Sequence, residues 1–128
     1  MTKEVLNNIS SQIIGGAIEV HKELGPGLLE SVYGACLAHE LRSKGLLVEE
    51  QVHLPLVYKN ESLEKDFVLD LLIEKEVIVE LKAVEDVHPV HEVQLVTYLK
   101  VANKKLGLLI NFNVPVLHKG IYRKVNNL

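Results

Sequence analysis

Between Lys3 and Leu24 the apolar positions Val5, Ile9, Ile13, Ala17, Val20 and Leu24 recur at steps of three and four, the period of an amphipathic helix. Gly25-Pro26-Gly27 ends that pattern. A second helix is predicted from about Leu28 to Lys44, where Leu29, Val32, Ala35, Cys36 and Leu41 keep the period until Gly45 supplies a stop. From Leu47 the period changes. Three runs rich in Val, Leu, Ile, Tyr and Phe, about 47–58, 63–73 and 77–84, are separated by Lys59-Asn60-Glu61 and Glu74-Lys75-Glu76, which predicts a three-stranded antiparallel meander. Pro89 suits the first turn of a helix running to about Ala102, with Val93, Val96, Leu99 and the neighbouring Leu95 as its apolar face. Leu106 to Phe112 is apolar nearly throughout, as expected of a strand covered on both faces, and a short strand from about Gly120 to Lys124 follows. The order α-α-β-β-β-α-β predicts an α/β fold in which one mixed central sheet is flanked by helices, in a single domain over residues 1–128.

Composition narrows the class without changing this picture. With 48% hydrophobic and 24% charged residues in 128, the chain has an ordinary globular make-up and enough length for one core. The N-terminus lacks a basic stretch followed by an apolar core, and no apolar run approaches the ~20 residues of a membrane helix, so a soluble cytoplasmic protein is expected. The single cysteine, Cys36, lies in an apolar-rich helical run and reads as a buried structural thiol, not a nucleophile. Charge adds one asymmetry. The net charge is −3, yet residues 100–128 carry six basic side chains and no acid, leaving 8 basic and 17 acidic groups, a net of −9, in the first 99. That pattern fits one cationic surface for a polyanion; it fits solubilising lysines near a terminus equally well.

The third strand, Glu76 to Val84, is where chemistry first shows. It is mostly apolar, so Glu80 and Lys82 stand out, because desolvating an unpaired charge is costly. Two residues apart on a strand, they project from the same face. A hairpin with the loop Glu74-Lys75-Glu76 pairs residues whose numbers sum to 150, which sets Asp70 opposite Glu80 with Cβ atoms ~5 Å apart. Carboxylates that close need either a raised pKa or a cation between them, and Lys82 or a divalent metal could supply the charge. A salt-bridge cluster without any ligand explains the same spacing. His88 and His91, three apart with no cysteine nearby, match no closed zinc pattern. The chain has no Gly-rich phosphate loop, serine-nucleophile elbow or zinc-protease helix.

Asp70 followed after nine residues by Glu80-Leu81-Lys82 resembles the signature of the PD-(D/E)XK nuclease superfamily. Gly27-Leu28-Leu29-Glu30-Ser31-Val32-Tyr33 matches the motif that names the GxxExxY family within it, and similar stretches extend through Val79 to Glu85, His88 to Leu95, Tyr98-Leu99 and Gly107 to Asn113. The resemblance covers about residues 10–125. Leu69 in place of proline before Asp70 is a departure that leaves the metal inference standing, since the proline shapes the backbone while the acid is the ligand.

This resemblance implies a restriction-endonuclease-like core and divalent-metal-dependent phosphodiester hydrolysis of nucleic acid, DNA or RNA. It assigns Asp70 and Glu80 as oxygen ligands to Mg²⁺ or Mn²⁺, with the Leu81 carbonyl completing the shell, and Lys82 to the attacking water. Glu30 would orient water, with Tyr33 one turn further along the same helix face. Gln94 and Tyr98 resemble the QxxxY element of RecB-like nucleases and, with His91, would shape the pocket. Lys100, Lys104 and Lys105, with Arg123 and Lys124, are expected to meet phosphates. Two other readings keep the fold: a nucleic-acid-binding module with little or no turnover, and an assembly protein, for which a homodimer would double the positive patch.

Overall fold

The computed structural model describes all 128 residues. Helix α1 spans Lys3–Leu24 and α2 spans Glu30–Ser43. Thr2 starts the first by accepting the Val5 N–H at its Oγ1, 3.2 Å away. Gly25 ends it at φ +69°, a left-handed position that favours glycine. Then come β1 (Val48–Tyr58), β2 (Glu61–Ile73), β3 (Val77–Lys82), α3 (Pro89–Ala102), β4 (Leu106–Asn111), a 3₁₀ turn at Leu117–Gly120, and β5 (Ile121–Val125). All of the elements read from the sequence are present; the 3₁₀ turn is additional. None of the helices is long and apolar enough to cross a membrane.

The five strands lie in the order β1-β2-β3-β4-β5, antiparallel except for β3 and β4, which run parallel and are joined by the α3 crossover. The β2–β3 register pairs Leu71 with Val79, Leu72 with Ile78 and Ile73 with Val77, the register the hairpin loop predicts. Beyond Leu71 and Val79 the two strands no longer pair, while β2 stays paired with β1 out to Ser62 and Glu61. A notch therefore opens beside β3, and the distal parts of β1 and β2 project as a two-stranded arm.

The sheet has a thick side and a thin side. Val77, Val79 and Leu81 of β3 join α1 and α2 in a core of 20 buried residues, whereas Ile78 points the other way, into a cluster of seven that includes Leu95, Tyr98 and Leu99 of α3. One expectation changes here. Val93 does not face the sheet; it is 62% exposed, and α3 turns Leu95, Tyr98 and Leu99 inward. The helix is apolar on both sides, so its periodicity does not single out the buried face.

Candidate active site

The notch is built by side chains that replace the missing β2–β3 ladder. Glu80 Oε1 accepts the N–H of Asp70 at 3.2 Å, and Asp70 Oδ2 accepts the N–H of Leu81 at 2.8 Å. Each carboxylate thus caps the main chain of the opposite strand. Asp70 and Glu80 thus meet across the gap between the two strands, and Lys82, half-buried at the end of β3, is close enough for its charge to favour the ionised form of Glu80.

That help is insufficient to keep Glu80 charged. Glu80 is 8% exposed. Burial first, and the Asp70 charge second, push its pKa up to about 8, and its carboxyl hydrogen-bonds Asp70. Near neutrality Glu80 is therefore protonated. Tyr98 lies beside them: burial and then the charges of Glu80 and Asp70 push its hydroxyl up, while a hydrogen bond from Gln94 opposes the shift. Tyr98 thus faces the two acids from α3, with Gln94 bonded to it.

The donor set fits a hard divalent cation. A buried and a half-buried carboxylate meet with only Lys82 as a positive neighbour, and a cation there would take the place of the proton on Glu80. The Leu81 N–H points toward β2, so its carbonyl, on the same edge of the strand, points into the same gap. No group of three or more His, Cys, Asp or Glu side chains in the chain could hold a metal by itself. Glu30 consequently does not join the pair as a third direct ligand, and further oxygens come from the main chain, solvent or substrate. Glu30, the first residue of α2, lies instead with Asp70 on the wall of a 520 Å³ cleft that opens toward solvent, facing Glu50 and Gln51 of β1.

Several expected site residues have other places. Tyr33 is fully buried; its ring stacks on Phe112 at 4.4 Å, and its hydroxyl donates to the Gly25 carbonyl at 2.6 Å and accepts the Leu28 N–H at 3.1 Å. It locks the α1–α2 turn and is out of reach of a substrate. His91 sits in the first turn of α3, where its Nδ1 accepts the His88 N–H at 3.2 Å and caps the helix. Lys104 and Lys105 precede Leu106, which pairs with Val77, while Lys82 pairs with Asn111, so they stand at the other end of the sheet, roughly 16 Å away at strand spacing. Lys100 points outward near that end of α3.

Nor do the basic residues form one cationic surface. Alternation along β5 sends Arg123 to Asn7 of α1 at 2.6 Å and Lys124 to Glu92 of α3 at 2.7 Å, on opposite sides of the sheet.

Three residues that sequence reasoning did not single out help to build the site. Asn111 is buried opposite Lys82; its Oδ1 accepts the N–H groups of Val84 and Asn113 at 3.1 and 3.2 Å, and its Nδ2 donates to the Val84 carbonyl at 2.9 Å. These bonds pin Val84 beside the end of β4 as the chain leaves Lys82. Gly120 packs against the Asn111 carbonyl so closely that a Cβ would collide with it. Gln51, bracketed by the pairs Glu50–Leu71 and Val52–Leu69, stands opposite Asp70 at φ +52°, an uncommon conformation for a glutamine. A polar residue in a strand gives no signal of that kind in sequence; a lone asparagine at the end of an apolar strand, as at Asn111, does.

The carboxylate pair on diverging strands, followed two residues later by lysine, has the arrangement that the resemblance to nucleases implies, on an α/β sheet. A family model of the PD-(D/E)XK nuclease superfamily matches residues 7–124, and the chain belongs to that superfamily. Membership implies nuclease chemistry on a nucleic-acid substrate, in a class that typically uses divalent metals. No curated protein and no solved structure matches the chain.

Proposed function

We propose that this protein is a divalent-metal-dependent nuclease that hydrolyses phosphodiester bonds in the notch between β2 and β3, and that the Gly27 to Tyr33 motif assigns it to the GxxExxY group. The observation that carries this reading is the reciprocal clasp of Asp70 and Glu80 on each other's strands, with Lys82 next along the same face. Asp70, Glu80 and the Leu81 carbonyl would hold Mg²⁺ or Mn²⁺, which when bound supplies a Lewis acid that acidifies water and offsets charge on phosphate oxygens. Lys82, half-buried at the rim, donates hydrogen bonds to the attacking water and a phosphate oxygen. Glu30 accepts a hydrogen bond from water across the cleft. Gln94 fixes the Tyr98 hydroxyl, so that Tyr98 closes the α3 side of the pocket against water.

Single- and double-stranded DNA and RNA incubated with Mg²⁺, Mn²⁺ or EDTA provide the test. Metal-dependent cleavage that Lys82→Ala lowers by about 100-fold or more, with nucleic-acid affinity nearly unchanged, supports the reading. Asp70→Ala should also abolish the rise in melting temperature that metal gives the wild type. Identical metal titrations of wild type and Asp70→Ala remove Asp70 as a ligand. Binding without cleavage under every condition favours a binding module of the same fold.

A further inference from the structure

The α3 helix carries apolar side chains toward solvent as well as toward the sheet. Val90, Val93 and Val101 are 65%, 62% and 45% exposed. With Thr97 they recur at steps of three, four and four, one stripe opposite the buried Leu95, Tyr98 and Leu99. Thr97 belongs to the stripe because its hydroxyl donates to the Val93 carbonyl at 3.1 Å, which leaves its methyl group as the apolar part. The stripe runs roughly 16 Å at helical rise.

Its two ends are oppositely charged. Exposed Glu85 and Asp86 lie in the turn that leads into α3, and the basic Lys100, Lys104 and Lys105 cluster where it ends. Glu92 is not part of the acidic end, since Lys124 already neutralises it at 2.7 Å.

We propose that this stripe binds a second copy of the chain, the two α3 helices packing antiparallel about a twofold axis. The alignment that sets Val90 against the partner's Val101 also brings the acidic turn before one α3 toward the basic residues that follow the other. Symmetry makes both contacts twice. Antiparallel packing opposes the two helix dipoles as well, whereas a parallel pair would set lysine against lysine. The surface is thus complementary to itself in both shape of pattern and charge. A single helix stripe buries less than a standard interface, so the dimer dissociates on dilution and weakens with salt. The inference stands apart from the chemistry of the notch and holds whether or not the site turns over.

Sedimentation equilibrium of the full chain over a wide concentration range tests it. The average mass of the wild type should rise toward twice the monomer value at low salt, and Val93→Asp should hold it near the monomer. Glu85→Lys with Asp86→Lys in one variant, and Lys104→Glu with Lys105→Glu in another, should each fail to dimerise alone. An equimolar mixture of the two should recover the dimer, because each charged end then meets its opposite. Far-UV circular dichroism checks that these exposed substitutions leave the fold intact. A wild type that stays monomeric at its highest soluble concentration overturns the proposal and leaves the stripe to a different partner. A dimer indifferent to Val93→Asp, or a mixture no more associated than its components, also overturns it.

Discussion

The two faces of the sheet are covered to different depths. On one side two helices and the end of the chain enclose 20 buried residues; on the other a single helix covers seven. Glu80 points to the thin side, near the edge of that cover, where its neighbours are Asp70, Lys82 and Tyr98. The thick face supplies the apolar burial that keeps the chain folded. A surplus of that kind allows the thin face to retain a buried acid beside a second one, an arrangement that costs stability in the metal-free protein where Glu80 ionises. On the proposed function, stability and chemistry are divided between the faces of one sheet, with β3 contributing alternate residues to each.

Substitutions on the thick side should have the largest effect. Phe112→Ala removes the ring that stacks on Tyr33 and should cost about 3–5 kcal/mol by urea denaturation. Leu95→Ala, in the smaller cluster, should cost less, about 2–3 kcal/mol, because the single covering helix relaxes into the space. Equal losses at the two positions would erase the distinction between the faces.

Glu80 sharpens the comparison through pH. Its folded pKa of about 8 lies above its ordinary 4.5, so the stabilisation from protonated Glu80 is fully present below the lower value and is lost as pH rises through the upper one. Without metal, unfolding free energy should fall between about pH 5 and 8, and Glu80→Gln should flatten that fall and add one to a few kcal/mol at pH 8. Saturating Mg²⁺ should remove most of the wild-type decline, since the cation favours the ionised acid. The smallest effect on stability belongs to Lys82→Ala, expected within about 0.5 kcal/mol even as cleavage is lost. A large loss of stability there would make Lys82 part of the fold's support.

Much of this was legible in the chain itself. The periods of three and four fixed α1 and α2, and Pro89 fixed the start of α3, because capping and burial act over a few neighbouring residues. The Glu74-Lys75-Glu76 loop determined the hairpin register, which in turn set Asp70 opposite Glu80, since strand alternation leaves no freedom once the turn is known. Where side chains act across longer distances, sequence was silent. Tyr33 looked like a site residue and became a core one, because its motif records the packing of a turn as well as any role in chemistry. The C-terminal cations fitted one patch or scattered solubilising charge equally well, and alternation along β5 and the direction of α3 scattered them over two faces and the far end of the sheet. The sequence by itself determined the elements, their order and the carboxylate pair. Which side of α3 is buried, where the lysines lie and that Glu80 keeps its proton near neutrality were settled by the tertiary structure alone, because burial and electrostatics depend on neighbours that are remote along the chain.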